Sequence, residues 1–139
     1  MDARRFSDRL KVIYVDDEPD IRIIVEMALA LDPSLDVRIA PSGREALGII
    51  ANGFVPDIAL LDLMMPEMSG KDVLAHLRDM PQFAKLPVLF ITANARQADV
   101  DRYINEGADG VITKPFDPLS LARNVRDHFE RISALRESE

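Results

Sequence analysis

The 139-residue sequence contains no cysteine. That absence excludes disulfides, thiolate metal sites and cysteine nucleophiles, and it suits the reducing cytoplasm. It also lacks a basic patch: 24 acidic residues against 17 basic ones leave a net charge of −7, which works against nonspecific contact with nucleic acid or an anionic membrane. No apolar stretch approaches a membrane span, and the start, "MDARRFSDRL", has no signal-peptide core. No loop is rich enough in Gly, Ser or Thr to cradle a phosphate by backbone amides alone, which disfavours a flavodoxin-like cofactor binder. What the chain does have is apolar residues, 47% of the total, enough to bury a core in a single domain.

Those residues fall into a pattern that recurs five times: a short run rich in Val, Ile and Leu, then a segment of helical period. The runs Lys11–Val15, Asp36–Ala40, Ile58–Leu61, Val88–Ile91 and Gly110–Thr113 suit strands covered on both faces. Between them, helix one opens at Pro19 with Ile21, Ile24, Val25, Ala28 and Leu29 inward. "SGRE" (Ser42 to Glu45) reads as a capping box for helix two. Helix three starts near Ser69 with Val73, Leu74 and Leu77 inward. Helix four, about residues 96–106, offers only Val100, Tyr103 and Ile104, and helix five starts at Asp117–Pro118 with Leu121, Ala122, Val125, Phe129 and Ile132 inward. The expected domain spans 11–132, after a short extension over 1–10 and before a polar tail over 133–139 expected to fray.

Strands alternating with helices predict an α/β fold: a doubly wound, flavodoxin-like five-stranded parallel sheet of order 2-1-3-4-5, which binds ligands beyond the carboxyl ends of its strands. The residues that close the strands are therefore the ones to examine. Asp16 and Asp17 follow strand one, Asp62 strand three, Thr92 strand four and Lys114 strand five, whereas strand two, the expected edge, ends blandly at Ala40–Pro41. Three carboxylates at one site repel and raise one another's pKa unless a cation sits among them, and oxygen donors without His or Cys point to a hard ion, Mg²⁺ first. A carboxylate beside Mg²⁺, with an ammonium and a hydroxyl near, is what phosphoryl transfer onto an aspartate requires. Singly, each residue has a plainer reading: Asp17 as a turn residue before Pro19, Thr92 as an ordinary strand residue, Lys114 as a solvated lysine. Only their joint placement on four strand ends overturns those readings. His76 and His128 have no partner ligand in spacing, and Met64, Met65 and Met68 read as packing residues.

Four motifs, "VIYVDDEPD", "IALLDLMMPEMSG", "VLFITA" and "GVITKPF", together resemble the signatures of a response-regulator receiver domain over about residues 11–132. The resemblance implies that Asp62 takes a phosphoryl group from a phosphohistidine on a sensor histidine kinase or a histidine phosphotransfer protein. It implies that Asp17 and Asp62 ligate Mg²⁺ directly, Asp16 mainly through a water, and the Met64 backbone carbonyl completes the set. Thr92 and Lys114 would contact the acyl phosphate, and the Lys114–Pro115 bond is implied to be cis. The implied partners are the phosphoryl donor, a downstream protein target and, on phosphorylation, a second copy of the chain. The expected protein is a switch without an output domain and not a turnover enzyme. A module excised from a longer regulator is the alternative, and an aspartate-dependent phosphatase is disfavoured because "DLMM" has no second aspartate two residues on.

Two positions depart from or tune that pattern. Val111 stands where many receivers have a switching tyrosine or phenylalanine, so the face of helix four, strand five and helix five needs another route, for which Tyr103 is the candidate. Met64 and Asn94 occupy the positions that vary phosphoryl lifetime in the family. Apolar Met64 is expected to hinder the attacking water and Asn94 to retain a means of positioning it, for a moderate to long lifetime.

Overall fold

The computed structural model describes residues 9–138. Five strands, β1 (Leu10–Val15), β2 (Leu35–Ala40), β3 (Ile58–Asp62), β4 (Val88–Thr92) and β5 (Gly110–Thr113), alternate with five helices. These are α1 (Pro19–Leu29), α2 (Gly43–Ala51), α3 (Gly70–Arg78), α4 (Gln97–Asn105) and α5 (Leu121–Glu137), with a short 3-10 turn over Pro81–Phe83. The strands are all parallel in the order β2-β1-β3-β4-β5, as the alternation predicts. Of the expected extension, residues 1–8 lie outside the described part, and Leu10 belongs to β1.

Alternation along the strands divides the core into two layers. Val12, Tyr14, Ile58, Leu60, Leu89, Ile91 and Ile112 pack with α1 and α5. Ile13, Val15, Ala59, Leu61, Val88 and Phe90 pack with α2, α3 and α4 on the other face. Every residue of β3 and β4 is buried, which is why these runs are apolar without a break until their final residue. Each fully buried Leu or Ile contributes about 2 kcal/mol by removal from water.

Several expectations about the helices need correcting. On α1 the inward stripe is Ile21, Val25, Ala28 and Leu29, spaced by four, three and one, and Ile24 lies on its flank, exposed with Ile23 and Met27. At α2 the Ser42 hydroxyl accepts from the Glu45 N–H at 3.1 Å, one arm of a capping box. The reciprocal box forms instead at α3, between Ser69 and Asp72, where the sequence reading did not place one. α5 begins at Leu121 rather than Asp117 because the Asp117 carboxylate accepts the Leu119 N–H at 3.0 Å and closes a turn of its own. The helix continues through the expected tail to Glu137, with an Arg136–Asp109 ion pair at 2.9 Å near its end.

Candidate functional site

Strand register assembles the site. Val15 pairs with Leu61, so Asp16 and Asp62 leave the sheet side by side. Asp62 pairs with Ile91 and Thr92 with Thr113, which sets Thr92 and Lys114 on the next rungs, and the Lys114 N–H donates to the Thr92 carbonyl at 2.8 Å. The carboxylate oxygens of Asp16, Asp17 and Asp62 lie within 4.8 Å of one another. The Lys114 ammonium reaches two of them, 3.4 Å from Asp16 Oδ2 and 3.3 Å from Asp62 Oδ1, and lies 3.5 Å from Glu18 Oε1. The Lys114–Pro115 peptide is cis, as the resemblance implied.

Burial makes this cluster electrostatically costly. Asp16 is 0% and Asp62 5% exposed. Desolvation, with the charge of Asp16, pushes the Asp62 carboxyl up to about 6 against the pull of Lys114. Burial alone would lower the Lys114 ammonium, but Asp16 and Asp62 outweigh it and raise its pKa. Three carboxylates against one half-buried lysine leave an excess of negative charge in a donor set made only of oxygen, which fits a hard divalent cation such as Mg²⁺.

The loop after β3 is shaped by close backbone packing. A Cβ on Gly70 would sit 2.6 Å from the Asp62 carbonyl oxygen and 3.1 Å from Leu63 Cα, so only glycine lets the start of α3 press against the end of β3. Met65 and Met68 pack on the second layer, as the packing reading of the methionines expects. Met64 does not: its side chain is 78% exposed, because buried Leu63 takes the inward position.

Three contributors escaped the sequence reading. Tyr14 is fully buried, and its hydroxyl donates to Asp16 Oδ2 at 2.5 Å. Burial and that bond to Asp16 keep the phenol protonated far above its usual range. Position i−2 from a strand-end carboxylate, on the same face, is the signal that would have found it. Asp16 is further held by the Glu18 N–H at 2.9 Å on Oδ1, and Arg22 donates to its carbonyl at 2.9 Å.

Asp99 is a fourth residue that escaped the sequence reading, and it lies on the buried side of α4. It is buried beside Tyr103, and Ile104, expected inward, is 47% exposed. The carboxylate accepts from Asn94, Arg96 and Arg102. Tyr103 meets Phe90 edge-on at 5.7 Å, with Arg102 5.3 Å and Lys71 5.8 Å from its ring centre. Val111 is half-buried against the same layer. Asn94 donates its N–H to Thr92 Oγ1 at 3.0 Å.

The family model for the response regulator receiver domain matches residues 12–126. The chain belongs to the response regulator receiver family. Among curated relatives, it is 33% identical over 86% of its length to an uncharacterized 14.6 kDa protein in the sodA1 3′ region of Leptolyngbya boryana, covering 90% of that protein. It is 32% identical over 92% of its length to the response regulator Rre1 of Synechocystis, covering 55% of it. The receiver thus spans nearly all of one relative and about half of the other. Among solved structures, the chemotaxis response regulator CheY4 of Vibrio cholerae superposes with a TM-score of 0.76 at 30% identity, over 85% of this chain and 97% of that one. Receivers are phosphorylation switches of two-component signalling that work with sensor histidine kinases and downstream targets. Among the described residues, no helix of this receiver is long and apolar enough to cross a membrane.

Proposed function

We propose that this receiver accepts a phosphoryl group on Asp62 from a phosphohistidine of a sensor kinase or phosphotransfer protein. The observation that carries the reading is the unbalanced cluster of Asp16, Asp17 and Asp62, with the Lys114 ammonium on Asp16 and Asp62, at the carboxyl ends of adjacent strands. In the transfer, an Asp62 oxygen bonds to phosphorus as the N–P bond breaks, and the imidazole leaves with the electron pair and takes a proton from solvent. Lys114 is placed to meet the charge on the phosphoryl oxygens, and Thr92 to bond them through its hydroxyl. Mg²⁺ would be held by Asp17 and Asp62, by Asp16 mainly through water, and by the Met64 carbonyl, and when bound it supplies charge neutralisation at the phosphoryl oxygens.

Tyr14 and the Glu18 N–H fix Asp16 while this happens. The change at Thr92 is passed to the face of α4, β5 and α5, where a target or a second copy binds. Val111 lacks an aromatic ring to carry it, and Tyr103, edge-on to Phe90 two residues before Thr92, takes that part. If Tyr103→Ala leaves target binding by the phosphorylated form unchanged, that part of the route is wrong. The protein acts as a switch and not as a turnover enzyme. Incubation with acetyl phosphate and Mg²⁺, followed by intact mass, is expected to give one phosphate adduct that is lost in Asp62→Ala and in EDTA. An adduct that survives Asp62→Ala contradicts the assignment.

A further inference from the structure

The first turn of α4 carries a charged residue where helical periodicity calls for an apolar one. Asp99, third residue of the helix, is 8% exposed. Its Oδ1 accepts from Arg102 at 2.9 Å, and its Oδ2 accepts from Arg96 Nε at 3.2 Å and from the Asn94 carboxamide Nδ2 at 2.9 Å. The hydrogen bond from Asn94 is the main cause holding the Asp99 carboxyl below the usual range, with both arginines adding to it. The other end of the same carboxamide is also taken, because Asn94 Oδ1 accepts the Arg96 N–H at 3.3 Å. Yet the Asn94 backbone is at the site, its N–H 3.0 Å from Thr92 Oγ1, on the strand next to Asp62. A carboxamide so placed has one acceptor and two donors, the equipment to orient a water beside a phosphoryl group. In this structure its Nδ2 is bonded to Asp99 and its Oδ1 to the Arg96 N–H.

We propose that Asp99 is a positioning residue that prolongs the life of the acyl phosphate: it holds the Asn94 carboxamide on the end of α4 and so withholds it from the hydrolytic water. The inference rests on Asp62 being the phosphoacceptor. In the hydrolysis, the water oxygen bonds to phosphorus while the bond from phosphorus to the Asp62 oxygen breaks. The carboxylate leaves with the electron pair, the water proton goes to solvent, and inorganic phosphate departs. A carboxamide freed from Asp99 accepts a hydrogen bond from that water and fixes its direction of attack. A purely structural role for Asp99, as an acid near the positive end of a helix, predicts a loss of stability but no such dependence on Asn94.

The test loads wild type, Asp99→Ala, Asp99→Asn, Asn94→Ala and the double variant Asn94→Ala/Asp99→Ala with acetyl phosphate and Mg²⁺, removes the donor, and follows loss of the adduct by intact mass. Asp99→Ala should lose phosphate about fivefold faster, the worth of one hydrogen bond that no longer restrains the amide. Asp99→Asn keeps the side-chain volume and one acceptor and should fall between wild type and Asp99→Ala. Asn94→Ala and the double variant should decay at the same rate. A normal adduct with an unchanged lifetime in Asp99→Ala overturns the inference alone, as does an equal acceleration in the Asn94→Ala background. No adduct on wild type overturns the Asp62 reading and takes this inference with it.

Discussion

Charged side chains gather at both ends of the sheet, half-buried at one and buried at the other, and the two groups have opposite signs. At the amino ends of the strands, Asp109 accepts from Arg78 at 3.3 Å and from Arg136 at 2.9 Å, and the Val88 N–H bonds its Oδ2 at 2.9 Å. Arg78 also donates to the carbonyls of Phe83, Leu86 and Gly107. Two guanidiniums share one carboxylate there, an excess of positive charge spread over backbone carbonyls, and Arg136 Nη1 is buried without a hydrogen-bond partner. At the carboxyl ends, three carboxylates face one lysine, and the Asp62 carboxyl is pushed up to about 6. The cationic cluster, bonded to carbonyls of several loops, joins elements of the fold. The anionic one, held in place by the buried strands beneath it, is a standing affinity for positive charge and marks the site of chemistry.

The largest expected effect lies at the amino ends of the strands. Arg78→Ala strands three carbonyls and leaves Asp109 to Arg136, so urea unfolding should show a loss of about 3 kcal/mol while phosphorylation by acetyl phosphate still proceeds. Loss of adduct formation in a folded Arg78→Ala would break the division of labour between the two ends.

At the carboxyl ends the sign reverses. The folded-state carboxyl of Asp62 is raised to about 6 from 3.8, so its ionisation opposes folding. The penalty is absent below about pH 4, grows as the pH rises, and is complete above about pH 6. Asp62→Asn should therefore be more stable than wild type by about 2 kcal/mol at pH 7 without metal, and the gain should vanish at low pH. A destabilised Asp62→Asn at pH 7 would mean that the cluster is not frustrated.

Mg²⁺ at ten times its dissociation constant should stabilise the wild type by about 1.4 kcal/mol in thermal unfolding and flatten that pH dependence. Arg78→Ala should respond equally, because the metal acts at the other end.

Smallest of the four, Tyr14→Phe removes one donor from a buried carboxylate and should cost about 1 kcal/mol in urea unfolding. No change would mean that the Tyr14 hydroxyl does nothing for Asp16.

The sheet order and the strand-end residues were legible because a doubly covered parallel sheet demands unbroken apolar runs, and a carboxylate that ends such a run stands out. Asp62 after "IALL" and Lys114 after "GVIT" are of that kind. Tyr14 was not legible, since a tyrosine inside an apolar strand looks like core until the structure shows where its hydroxyl goes. Asp99 was hidden for the converse reason: periodicity counts a carboxylate as solvent-facing, and only its three donors reveal that it points inward. The last turns of α5 were hidden because Arg136 is anchored by Asp109, a partner 27 residues away in the chain.

The central claim is that the anionic end of the sheet accepts a phosphoryl group at one residue. Borohydride reduction of the phosphorylated protein converts an acyl phosphate on aspartate to homoserine, which peptide mass mapping then locates. Homoserine at position 62, dependent on Mg²⁺, is the predicted result. Homoserine at Asp16 or Asp17 instead, or a phosphate that resists borohydride, would contradict it.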